Sequence, residues 1–178
     1  MKHFLVVVDI QNDFVNGALG TAEAVAMLPA ACKKIKEWDG DIFVTYDTHF
    51  ENYMDTAEGA KLPVKHCIKG TAGWELNAQI AAALEEKDYV SVEKITFGST
   101  VLPTLIEDAM EEEGFDENFE ITLIGLCTDI CVVSNALILK ANFPEAYIAV
   151  DSACCAGVTP ETHEAALTTM KMCQIDVL

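Results

Sequence analysis

The sequence predicts an α/β fold, a three-layer sandwich in which helices cover both faces of a mostly parallel sheet of about six strands. Two observations lead there. Short apolar runs rich in β-branched residues alternate along the chain with longer stretches whose apolar residues recur at helical spacing. A strand followed by a helix and a further strand crosses over right-handedly, which makes the two strands parallel. The chain has 178 residues, within the range of one domain and enough to bury a sheet under two helical layers. A single domain over 1–178 is therefore expected.

In order, the strands are expected at residues 4–8, 42–46, 89–92, 121–124 and 147–150, with a short final strand at 175–178. Helices are expected at 30–38, 74–86, 100–113, 129–141 and 160–173, each with apolar residues near helical spacing. The longest irregular stretch, 47–73, interrupts this plan, and long loops in such domains commonly carry function. The acidic stretch 107–117 reads as a solvated helix end and loop.

Composition removes several classes of function. The formal net charge is -18, which repels phosphate backbones and anionic lipid, so neither nucleic acid nor membrane is expected as a partner. The apolar runs are too short to span a bilayer, and Lys2 and His3 lead directly into a strand rather than a signal sequence. Seven cysteines at scattered spacings leave one over in any full pairing scheme. Reduced thiols and a cytoplasmic location are the expectation.

In parallel sheets of this kind ligands bind beyond the carboxyl ends of the strands. Those positions carry Asp9 after the first strand, Asp47 and His49 after the second, Glu93 and Lys94 after the third, and Gly125 to Cys131 after the fourth. Cys131 opens the following helix, where unpaired N–H groups favour a thiolate and can also hold the oxyanion formed when sulfur attacks a carbonyl. Asp9 is the candidate base, its pKa open to a rise beside Cys131 or a fall beside Lys94. Lys94 supplies a compact ammonium to hold both charges. Asp47, His49 and His66 offer one carboxylate and two imidazoles, a donor set for Zn, Mn or Fe, or else a hydrogen-bonded group inside the loop. Cys67 is an optional further ligand or a packed thiol.

Three segments carry a resemblance: Asp9-Ile10-Gln11-Asn12-Asp13-Phe14, Glu93-Lys94-Ile95-Thr96-Phe97-Gly98-Ser99-Thr100 and Gly125-Leu126-Cys127-Thr128-Asp129-Ile130-Cys131-Val132. In order and spacing they resemble the isochorismatase-like cysteine hydrolase superfamily along nearly the whole chain. The resemblance implies a catalytic triad of Asp9, Lys94 and Cys131, an oxyanion hole at Cys127 and Cys131, and a non-proline cis peptide at Leu126-Cys127. Within the superfamily, Asp47-Thr48-His49 with His66-Cys67 is similar to the nicotinamidase metal motif, which implies Asp47, His49 and His66 as ligands of a divalent metal, Zn ahead of Mn or Fe. It further implies a cysteine-dependent amidohydrolase that converts nicotinamide to nicotinate and ammonia through a thioester. Many nicotinamidases carry tryptophan and proline shortly before the second histidine, where this chain reads Leu62-Pro63-Val64-Lys65-His66. Other small amides, ureido or carbamoyl compounds among them, isochorismatase-type hydrolysis and an inactive scaffold are the alternatives. No arginine is present to clamp a substrate carboxylate, which leaves Lys61, Lys65 or Lys69 for that task. Gln11, Phe14 and Phe97 are expected in the substrate pocket, and members of the family are commonly dimers or tetramers.

Overall fold

The structure, a computed structural model, describes residues 2–112 and 118–178. Its strands are β1 (Lys2–Val8), β2 (Asp41–Asp47), β3 (Val90–Lys94), β4 (Phe119–Leu126), β5 (Tyr147–Ala156) and β6 (Asp176–Val177). The helices are α1 (Asn12–Val15), α2 (Ala22–Ala26), α3 (Leu28–Glu37), α4 (Ala57–Lys61), α5 (Ala78–Leu84), α6 (Leu102–Glu112), α7 (Val133–Asn142) and α8 (Pro160–Met172). The strands form one six-stranded sheet in the order β3-β2-β1-β4-β5-β6. Every pairing in it is parallel.

β1 lies at the centre of the sheet, which is why its sequence is an unbroken apolar run: Phe4 to Val8 are fully buried. Its side chains alternate between two cores. Phe4, Val6 and Val8 pack with Leu102, Ile106, Ala136, Leu139, Leu167 and Met170 from α6, α7 and α8. Leu5 and Val7 pack with Phe14, Leu28, Ile35, Ile80 and Leu84 from α1, α3 and α5. These are the two outer layers of the sandwich.

The differences from the expected elements have local causes. The helix expected over 74–86 is cut to α5 because Asn77 caps it, its side chain accepting from the Gln79 N–H, while Trp74 is drawn away by a bond from its indole Nε1 to Thr48 Oγ1 at 3.0 Å. The helix expected from 129 opens instead as a π-helical turn, Thr128–Val132, before α7. The stretch 47–73 is not structureless: it contains a 3₁₀ turn at Tyr53–Asp55 and α4, whose cap Thr56 accepts from the Gly59 N–H. Residues 113–117 of the acidic stretch lie outside the described residues.

Candidate active site

The sheet register brings the strand ends together. Asp47 pairs with Lys94 across β2 and β3. Val8, the last residue of β1, pairs with both Thr45 and Gly125. Gly125 has φ +125, and a Cβ there would meet the Val8 carbonyl oxygen at 2.1 Å, so only glycine lets β4 pass this close to the end of β1. Directly beyond Val8, Asp9 takes a left-handed φ of +47, unusual for any residue but glycine. The Leu126-Cys127 peptide is cis.

Asp9, Lys94 and Cys131 meet here. Lys94 Nζ lies 2.6 Å from Asp9 Oδ2, 3.4 Å from Asp47 Oδ1 and 3.5 Å from Cys131 Sγ. Thr45 donates to Asp9 Oδ1 at 2.6 Å. All of these side chains are buried. Burial raises the Asp9 carboxyl above the ordinary range despite the opposing charge of Lys94. Burial would lower Lys94, but Asp9, Cys131 and Asp47 outweigh it and hold the ammonium charged. Cys131 is pushed well above a usual thiol by burial and by Asp9, against the pull of Lys94. The thiolate expected at a helix start is thus reversed in the resting site, where desolvation and two carboxylates outweigh the helix end. Asn135, a buried side chain that sequence reasoning passed over, holds this turn by donating to the Cys131 carbonyl at 2.8 Å and accepting from the Ser99 N–H at 2.9 Å.

Asp47, His49 and His66 form a second cluster in which one donor atom from each lies within 4.8 Å of the others. His49 Nε2 is 3.0 Å and His66 Nε2 3.5 Å from Asp47 Oδ2. The cluster fits a divalent cation on two observations. His66 Nδ1–H donates to the Val64 carbonyl at 2.8 Å, which in the neutral ring puts the lone pair on Nε2, the nitrogen that faces the cluster. His49 Nε2 is buried and has no hydrogen-bond partner among the described residues. Burial works against ionisation of Asp47, but the adjacent imidazoles of His49 and His66 and the charge of Lys94 outweigh it and hold the carboxyl low. Cys67 is fully buried beside His66, its thiol raised by burial, and packs with the core rather than joining the cluster.

Glu58 and Tyr53 escaped the sequence reading. Glu58 Oε1 lies 3.6 Å from His49 Nε2 and 3.7 Å from His66 Nε2, placed there by α4, an element no periodicity signalled. Tyr53 is fully buried, with its ring edge-on to His49 and His66 and its hydroxyl donating to Leu62 O at 2.9 Å. A glutamate in a stretch already carrying two histidines was the one available signal.

Both clusters open on a cavity of about 640 Å³ whose lining includes Phe14, Phe97, Asp47, Glu58, His66, Cys127 and Cys131. Of the three residues expected in the substrate pocket, Phe14 and Phe97 are among the lining residues; Gln11 is fully buried and not among them, its amide bonded to backbone groups of Asp47 and Trp74. Lys61 is the single lysine among the lining residues; Lys65 and Lys69 pair with Glu51 and Glu93.

The comparison with known proteins places this six-stranded parallel sheet and its strand ends in a family. The Isochorismatase domain family model matches residues 3–178, and the chain belongs to the isochorismatase family, in its nicotinamidase-like branch. The nicotinamidase/pyrazinamidase of Mycobacterium tuberculosis is 25% identical, covering 98% of this chain and 97% of that protein. The crystal structure of nicotinamidase/pyrazinamidase PncA from Bacillus subtilis superposes with a TM-score of 0.79 at 28% identity, covering 99% of each chain. The pyrazinamidase of Pyrococcus horikoshii, solved in complex with zinc, gives a TM-score of 0.80 at 26% identity over 100% of this chain and 99% of that one. Its nicotinamidase/pyrazinamidase homologues together with its fold support an amide-bond hydrolase. Among its described residues no helix is long and apolar enough to cross a membrane.

Proposed function

We propose that the protein hydrolyses nicotinamide to nicotinate and ammonia through a thioester on Cys131. The observation that carries this reading is the shared cavity: the Cys131 thiol and the Asp47–His66 donors face one space, with Lys94 Nζ 3.5 Å from Cys131 Sγ and 3.4 Å from Asp47 Oδ1. One ligand can therefore present a carboxamide to sulfur and a ring nitrogen to the second cluster.

In this mechanism Asp9 takes the thiol proton as Cys131 Sγ bonds to the carboxamide carbon. The backbone N–H groups of Cys127 and Cys131 receive the oxyanion, and Lys94 steadies the negative charge shared by Asp9 and sulfur. Asp9 returns the proton to nitrogen as the C–N bond breaks and ammonia leaves. Water then attacks the thioester, losing its proton to Asp9, and the acid departs as the C–S bond breaks and Asp9 returns that proton to sulfur. A divalent ion held by Asp47, His49 and His66, with Glu58 alongside, would supply Lewis-acid binding of the ring nitrogen. Zinc is the proposed ion, on the strength of the donor set and of the zinc held by the Pyrococcus relative. Phe14 and Phe97 wall the ring. A cytoplasmic, single-domain homo-oligomer is the remaining part of the reading, checked by sedimentation of the purified protein.

Ammonia release from nicotinamide, with and without added Zn²⁺ or Mn²⁺, tests it against Cys131→Ala. Release that disappears in the variant supports the reading, and no release from the unmodified protein overturns it. Lys61 on the cavity wall favours a second substrate class, ureido or carbamoyl acids, in which a carboxylate would meet the lysine. Release from those compounds alone would select it.

A further inference from the structure

The mechanism leaves one buried polar side chain of the first motif without a task. Gln11 Oε1 accepts from the Asp47 N–H at 2.8 Å, and Gln11 Nε2 donates to the Asp47 carbonyl at 2.9 Å and to the Trp74 carbonyl at 2.8 Å. One carboxamide therefore closes both backbone groups of a single residue. The reason lies in the sheet. Asp47 ends β2, and the neighbouring β1 has already ended at Val8 and turned away at Asp9, whose N–H still reaches Thr45 O at 3.2 Å. On that side the ladder has no further strand for Asp47 to pair with, whereas on the other side Thr48 N–H bonds to Lys94 O at 2.8 Å. The Gln11 amide has a donor and an acceptor spaced like those of a peptide group, and it stands in the missing step.

Asp47 is also the residue the two clusters share, with Oδ2 toward His49 and His66 and Oδ1 toward Lys94. A backbone free to rock at this strand end would swing that carboxylate. We propose that Gln11 is a positioning residue for the metal-binding half, extending the sheet ladder by one side-chain step so that the Asp47 carboxylate stays aimed at the two histidines. The proposal rests on the reading that Asp47, His49 and His66 hold a divalent ion.

Cobalt titration of the metal-stripped protein, followed by its visible d–d absorption, tests this without any turnover. Gln11→Met keeps the length and removes both hydrogen-bonding ends; Gln11→Asn keeps an amide that is too short to span both groups and guards against a misfolded Met variant. Both are expected to weaken Co²⁺ binding by about 10- to 100-fold and to alter the absorption band, the effect typical of losing a group that orients a ligand. Asn77→Ala, which removes the buried α5 cap, is the control for general loosening and is expected to lower the melting temperature with an unchanged Co²⁺ affinity. Gln11 variants that melt earlier but bind Co²⁺ like the unmodified protein overturn the proposal and leave the metal reading standing. An unmodified protein that binds no Co²⁺ overturns both, while Cys131-dependent ammonia release remains a separate measurement of the hydrolase reading.

Discussion

The two halves of the site are built by different means. Asp9 and Lys94 stand at strand ends whose separation is set by the paired registers of β1, β2 and β3, and Cys131 stands on the π-helical turn that follows β4. In the metal half only Asp47 stands on a strand. His49 is held by an isolated bridge to Ile68, His66 by its bond to Val64, and Glu58 by a one-turn helix inside a long excursion. A ladder fixes geometry through many backbone bonds at once, whereas a loop fixes it through a few side chains, each of which can fail singly. The catalytic half should thus tolerate change around it, and the metal half should respond to single contacts.

The largest expected effect separates the halves. Cys131→Ala should lower amide hydrolysis on the order of 10⁴-fold or more in kcat/KM while leaving metal uptake unchanged, as read by ammonia release beside a metal titration. Metal loss in that variant would dissolve the distinction. Lys94→Met attacks a side chain that touches both: it leaves the Asp9 and Asp47 carboxylates buried without their cation and should cost about 3–5 kcal/mol in urea unfolding. Adding Asp9→Asn to it should recover part of that loss. His66→Ala should weaken metal binding at least about 100-fold and leave the iodoacetamide labelling rate of Cys131 unchanged. The smallest effect concerns pH. Because burial and the nearby carboxylates raise the Cys131 thiol, it is protonated at neutral pH in the resting site, and its labelling rate should keep rising past pH ~8.5, where an ordinary thiol is half ionised. Asp9→Asn removes a raising charge and should move that profile to lower pH.

The strands were legible because a sheet covered on both faces demands continuous apolar runs, and Phe4 to Val8 and Ile121 to Ile124 are such runs. β5 was read short: its run continues past Val150 to Ala156, with a register shift opposite Leu123 and Gly125 that no alternation announces. The stretch 47–73 was read as irregular because α4 and the 3₁₀ turn are each a single turn, too short for a period to register. Gln11 was misplaced for a related reason. Its position two residues after Asp9 suggests a neighbour of the reacting atoms, but the chain turns at the left-handed Asp9 and carries the amide to the end of β2, against the Asp47 backbone.

By itself the sequence determined the layered parallel sheet and the order in which reactive residues reach its carboxyl edge, since periodicity and residue type act locally and repeat along the chain. Only the tertiary structure decided which of those residues touch, that Glu58 lies beside His49 and His66, that the Gln11 amide closes the Asp47 backbone, and that burial raises the Cys131 thiol. Those outcomes depend on strand register, on through-space charge and on water excluded by groups far apart in the chain, and no local pattern encodes them.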